Sequence, residues 1–165
     1  MATGPASHGR VPTSAAASAG PVSNALIRAT RLHMILARYL LQRVGLHPGQ
    51  ELLLMHLWDA GPQRQADLAS AFGTDSASMT RTVQRLERAG FVRRRPDPSD
   101  GRATLVESTQ AGTALRGQIE KLWADLEAQT VGGLTQAQVG QLLLGLQHLE
   151  ENLSSATDSA RIARS

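Results

Sequence analysis

Between Arg81 and Arg95 the chain carries six arginines, at 81, 85, 88, 93, 94 and 95, against a single acid, Glu87. That local excess is larger than the formal charge of +3 for all 165 residues, so the remainder is net acidic. Lys121 is the one lysine. A guanidinium is a planar fork of donors that matches the oxygens of a phosphate or the edge of a guanine. The chemistry open to these residues is recognition of a polyanion, with no bond made or broken. The competing reading of such a run is a solvated, charged face.

Spacing separates the roles inside this run. Met79, Val83 and Leu86 fall at i, i+4 and i+7, which marks the buried side of a helix over Ser76 to Ala89. Ala77, Arg81, Gln84 and Arg88 then lie on the opposite side, with Ser78 and Arg85 flanking them. Small residues at the start let the helix N-terminus approach base edges. The expected base readers are Ser76, Ala77, Ser78, Arg81, Gln84 and Arg85. Thr80 and Thr82 suit phosphates, as do Gln63 and Gln65 just upstream. Arg94 is a further DNA contact, although strand alternation predicts that one or two of Arg93 to Arg95 pair internally with acids. Arg102 is placed to enter a narrow minor groove. Asp97 and Asp100 lie close enough to pair with arginines, and Asp100 is expected to orient an arginine side chain; the other reading is a turn acid that satisfies backbone N–H groups.

These residues need elements to hold them. Gln65 to Phe72 reads as a short helix, with Gly73 as the turn and Asp75 as the N-cap of the next helix. Gly90 closes that helix. Phe91 to Arg95 and Ala103 to Ser108 read as strands, joined by a loop from Pro96 to Arg102. The order is helix, turn, helix, wing. Around it the spacing predicts a helix from Ser23 to about Val44, and another from Leu46 to Ala60 with Pro48 in its first turn. That second helix is apolar almost all round and should be buried on more than one side. A long helix runs from a Thr109 cap to Gly132-Gly133. Thr135 to Gln138 forms a T-x-x-Q capping box before the last helix. The leucine stripe of that helix, up to Leu153, is either a monomer core or half of an intermolecular seam. With few aromatics and three long helices outside the wing region, the seam is favoured.

The expected fold is therefore mainly α with a small β-hairpin wing and about six helices. One domain covers residues 23–155, with the helix-turn-helix and wing as a DNA-binding lobe over about 46–108 and further helices over about 23–45 and 109–155. Residues 1–22, including His8 and Arg10, read as a disordered tail, and 156–165 as a mobile one.

The totals exclude several classes. With 41% hydrophobic and only 3% aromatic residues, the core should be aliphatic and helical. The absence of cysteine rules out disulfides, zinc–thiolate sites and thiol switches. No apolar run approaches the ~18 residues of a membrane span. The start MATGPASHGR has no signal-peptide pattern. A cytoplasmic location is the default. His33, His47, His56 and His148 are scattered without H-x-x-x-H or H-E-x-x-H spacing, so no metal site and no cofactor is expected. There is no phosphate-cradling glycine loop, and Ser78 sits in no nucleophile elbow, so the chain does not read as an enzyme.

The run SASMTRTVQRLERAGFVRRRPDPSDGRATLVESTQAG closely resembles the winged-helix core of the MarR family, the multiple-antibiotic-resistance type of bacterial transcriptional regulators. The resemblance covers Gln65 to Gly112 as sequence and Ser23 to Leu153 as an order of elements. It is carried by the D-x-R wing (Asp100, Arg102), the T-R pair (Thr80, Arg81) and the L-E-x-x-G-x-V ending (Leu86, Glu87, Gly90, Val92). It implies an obligate homodimer, whose first and last two helices, the dimerisation helices over about 23–45 and 109–155, interleave across a two-fold axis. It also implies a pseudo-palindromic double-stranded operator and repression of nearby genes. Many such proteins release DNA when a small aromatic or phenolic anion enters the cleft above the DNA-binding lobe. The thiol-sensing branch is excluded by the missing cysteine. His33, Tyr39, Met55, His56 and Trp58 fall on the two helices that flank this cleft, as candidate ligand contacts or as ordinary core. A constitutive or activating regulator is an alternative. So is a winged-helix protein-interaction module, although the arginines favour DNA because interface cores are depleted of charge.

Overall fold

The structure, a computed structural model, describes residues 18–163. His8, Arg10 and Arg164, and with them most of the tail expected over 1–22, lie outside the described residues. The order of elements is α1 (Pro21–Gln42), α2 (Gln50–Ala60), β1 (Gln63–Arg64), α3 (Gln65–Ala71), α4 (Ser76–Arg88), β2 (Val92–Asp97), β3 (Asp100–Ser108), α5 (Gln110–Ala114), α6 (Arg116–Val131) and α7 (Gln136–Ile162). This is the mainly helical winged-helix architecture that the periodicity predicts. The described chain divides into two compact units, one up to Leu126 and one from Glu127.

The first unit holds the winged helix. Its core joins Ala37, Leu40 and Leu41 of α1 to Leu53, Leu54 and Leu57 of α2. Leu68 of α3 and the Met79, Val83 and Leu86 stripe of α4 continue it, with Val92 and Val106 from the sheet and Ile119 and Leu122 from α6. Each of the Leu, Ile, Val and Met side chains contributes about 1.5–3 kcal/mol on full burial. The sheet has three strands in the order β1-β3-β2, all antiparallel. The second unit holds the end of α6 and the whole of α7. Thr135 and Gln138 form the capping box there: the Gln138 side chain accepts the Thr135 N–H at 2.9 Å, and Thr135 Oγ1 accepts the Gln138 N–H at 3.3 Å.

Several bounds differ from the sequence reading, each for a local reason. The second helix starts at Gln50, not Leu46. Pro48 biases His47 away from helical geometry, and Gln50 Oε1 accepts the His47 N–H at 2.8 Å. The first helix ends two residues early, at Gln42, in a Schellman motif: Leu46 N–H donates to Leu41 O at 3.0 Å and Gly45 N–H to Gln42 O at 3.2 Å. It also begins at Pro21, where proline is tolerated in the first turn. The long helix after Thr109 breaks at Leu115 into α5 and α6. The last helix runs to Ile162, past the expected end near Ser154. No helix among the described residues is long and apolar enough to cross a membrane.

Candidate nucleic-acid interface

Asp75 fixes the start of α4. Its Oδ1 accepts the Ser78 N–H and its Oδ2 the Ser78 hydroxyl, both at 2.7 Å. The Ser78 bonds hold the Asp75 carboxyl below its ordinary range. Arg81 Nη2 in turn donates to Ser78 Oγ at 2.8 Å, so cap, serine and arginine form one exposed chain of contacts. Thr80 Oγ1 donates to the Ser76 carbonyl at 2.7 Å and accepts Gln65 Nε2 at 2.9 Å, which pins α3 to α4. Thr82 Oγ1 donates to the Ser78 carbonyl at 3.1 Å.

With Met79, Val83 and Leu86 buried, the outer face presents Ser76, Ala77, Arg81, Gln84, Arg85 and Arg88 exposed, with Ser78, Thr80 and Thr82 half-buried at its margin. At the far end, Phe91 N–H donates to Leu86 O and Gly90 N–H to Glu87 O, both at 2.9 Å. Gly90 takes φ +78°, a region that favours glycine. Thr109 fastens this end: its Oγ1 donates to Gly90 O at 2.6 Å and its N–H to Phe91 O at 3.0 Å. Gly112 then approaches so closely that a Cβ there would lie 2.0 Å from the Phe91 carbonyl oxygen.

The wing is tighter than the sequence suggests. β2 extends through Pro96 to Asp97 and β3 begins at Asp100, so only Pro98 and Ser99 lie between the strands. Pro96 pairs with Thr104, but Asp97 pairs with Asp100, which leaves Gly101, Arg102 and Ala103 as a bulge in β3. Arg102 thus stands exposed on that bulge and not at the end of a loop. Asp100 Oδ1 accepts the Arg102 backbone N–H at 3.1 Å. The acid therefore shapes the backbone under Arg102, the second of its two readings, and not a guanidinium.

The strand arginines are more committed than alternation predicts. Arg93 and Arg95 both donate to Glu107, the latter at 2.9 Å, and Arg94 Nη2 reaches Glu87 at 2.6 Å. These bonds hold Glu107 and Glu87 below the usual carboxylate range. All three are paired, where the sequence reading expects one or two. Arg94, a candidate DNA contact, ties β2 to α4. Among the described residues, no carboxylate lies within ion-pair distance of Arg81, Arg85, Arg88 or Arg102.

Arg64 is a residue that sequence reasoning missed. From β1 its Nε donates to Asp97 Oδ2 at 2.7 Å and its Nη2 to Ser99 Oγ at 3.2 Å. Asp97, buried, also accepts the Ser99 N–H and hydroxyl, and these bonds with Arg64 lower its pKa to about 2. The pairing of Asp97 with an arginine is as expected, but a two-residue strand carries no periodicity, so nothing in the sequence pointed to Arg64 as the partner.

The candidate ligand residues are not gathered. His33 lines a cavity between α1, α2 and α6. Met55 and Trp58 line another, beside Arg116, whose guanidinium sits 5.9 Å from the Trp58 ring. Tyr39 and His56 line neither of these; Tyr39 is exposed, and His56 packs edge-on against Phe72 at 5.6 Å.

Comparison with known proteins agrees with this geometry. The sequence model of the MarR family matches residues 46–104, from just before α2 into β3. A probable transcriptional regulator from Pseudomonas aeruginosa superposes with a TM-score of 0.73 at 26% identity, over 80% of this chain and 98% of that one. A mutant MarR from E. coli complexed with operator DNA gives 0.75 at 24% identity, over 83% and 99%, a likeness of fold. BpsR from Bordetella bronchiseptica, whose DNA binding is regulated by 6-hydroxynicotinic acid, gives 0.70 at 25% identity, over 79% and 98%.

Proposed function

We propose that this chain, whose residues 46–104 match the sequence model of the MarR family, is a sequence-specific DNA-binding transcriptional regulator. It works as a homodimeric repressor that leaves a pseudo-palindromic operator when a small molecule binds. The observation that carries the reading is the outer face of α4: among the described residues, four arginines there and on the wing make no direct ion pair while their neighbours are paired. In this reading α4 enters the major groove with Ser76, Ala77, Ser78, Arg81, Gln84 and Arg85 toward base edges. Thr80 and Thr82 face phosphates, and Arg102 reaches the adjacent minor groove. Arg94 and Asp100 serve by positioning, through Glu87 and the Arg102 backbone.

The dimer is supported by unpartnered apolar surface. Ile27, Leu32, Ile35 and Tyr39 on α1, and Leu142, Leu143, Leu146 and Leu153 on α7, are all exposed. Surface of this kind marks an interface. The E. coli operator complex and the BpsR response support the DNA and effector parts of the reading.

The test is selection of binding sites from random duplexes with the purified chain, with its mass in solution measured by sedimentation. A two-fold symmetric site bound by a dimer is expected, with half-site centres about 34 Å apart. Arg81→Ala should then lose about 1–3 kcal/mol per half-site against the selected sequence. Unchanged gel-shift affinity for that variant, or a stable monomer, overturns the reading.

A further inference from the structure

A cavity of about 280 Å³ opens between α1, the start of α2 and α6. Met34 and Ala37 of α1, Leu52 of α2 and Trp123 of α6 give it apolar walls. Two titratable side chains line it, His33 and Glu51, and among the described residues no arginine or lysine does. Glu51 is only 7% exposed. Its Oε2 is shielded from water and has no hydrogen-bond partner. Burial pushes the Glu51 carboxyl up, while the backbone N–H groups of Glu51 and Gly49 partly oppose the shift.

A carboxyl group in such a place works against folding, because desolvation is not offset by a pairing charge. A leucine there would extend the surrounding core. The acid instead lines an apolar cavity of ligand size, and behind that wall its Oε2 is an acceptor that no described group satisfies. An anion seated here would face an acidic side chain with no arginine or lysine to pair with. A ligand offering only acceptors would leave Glu51 as it is. A ligand with charged N–H donors supplies what the site lacks.

We propose that this cavity binds a small molecule with an apolar body of about one ring and a cationic N–H group, an amidinium or a protonated amine, which pairs with the Glu51 carboxylate. The proposal rests on the effector-responsive reading above and names the ligand class, opposite in charge to the anion that the family resemblance implies. The cavity is also placed to matter for DNA binding. Glu51 and Leu52 belong to α2, which packs on β3 and α5, so a ligand wedged against α2 bears on the sheet that carries the wing.

The test is calorimetry and thermal melting of the full chain without DNA, in benzamidinium, 2-phenylethylammonium or benzoate at equal concentration. The two cations should bind and raise Tm, and benzoate should not. Glu51→Gln, nearly isosteric, should weaken cation binding on the order of ten- to a hundredfold, the loss of a charged hydrogen bond. Met34→Trp, which fills the cavity and keeps Glu51, should abolish it. Failure of both cations to bind, equal binding of benzoate, or cation binding unchanged in Glu51→Gln overturns the proposal. A changed oligomeric state in Glu51→Gln without cation binding gives the carboxylate to a donor from a second copy, and overturns it too. Operator selection is read separately: a chain that binds the cations but selects no site keeps this pocket and loses the regulatory reading.

Discussion

Asp97 does more for the wing than its place in a turn suggests. It joins Arg64 of β1 to the Pro98-Ser99 turn, and its folded pKa of about 2 lies below the ordinary carboxylate value. A carboxyl depressed by folding adds stability that is present above its unfolded pKa and lost as pH falls toward the folded one. Glu87 and Glu107 shift in the same direction through Arg94 and the Arg93–Arg95 pair. Melting followed by circular dichroism from pH 7 to pH 2 should therefore show stability falling below about pH 4. Asp97→Asn should be less stable than the parent at pH 7, and the two curves should meet near pH 2. A constant gap down to pH 2 would mean that Asp97 acts through shape and not charge.

At the scale of elements, the joint between α4 and α5 is the least tolerant of change. Gly112 meets the Phe91 carbonyl and the Ser108 hydroxyl, where a Cβ would lie 2.0 and 2.7 Å away. Gly112→Ala should destabilise by about 3 kcal/mol, the upper end of typical overpacking costs, because a backbone carbonyl cannot swing aside. Gly117→Ala, where nothing lies within 4 Å, should instead gain up to about 1 kcal/mol from helix propensity. Chemical denaturation of both variants checks the contrast, and equal effects would sink it. This joint also shows what the sequence could reveal. The Met79, Val83 and Leu86 stripe with its Asp75 cap and Gly90 stop placed α4 within a residue, because helix period and capping are local. The T-x-x-Q box was legible for the same reason. The β1 strand and the close approach of Gly112 were not, since each depends on a partner far along the chain, and the bulge under Arg102 was not, since it rests on a shift of pairing register that no residue period records. Arg64 and Asp97 are 33 positions apart. The break at Leu115 was hidden as well, because the apolar repeat begins at Leu115 itself and the five residues of α5 before it are too few to show a period of their own.

Across the whole molecule, the recognition surface and the helices that would pair two copies belong to one design in the proposed reading, since a single α4 reads only half a site. The paired arginines have a consequence for such a complex in solution. Each phosphate neutralised by a protein cation frees a fraction of a condensed counterion, giving about 0.9 per contact in the slope of log affinity against log salt. If Arg81, Arg85, Arg88, Arg93, Arg94, Arg95 and Arg102 of both copies all engaged phosphate, the slope would approach roughly −13. Glu87 and Glu107 already hold three of these in each copy. That leaves a ceiling of about −7, and less where an arginine reads a base. Titration of a selected duplex between 50 and 200 mM salt, the range over which such slopes are read, should stay under that ceiling. A steeper line would show that the strand arginines leave their glutamates on binding. The density of arginine in this chain is therefore a poor guide to its appetite for DNA, because the fold has already supplied nearly half of those cations with counterions of its own.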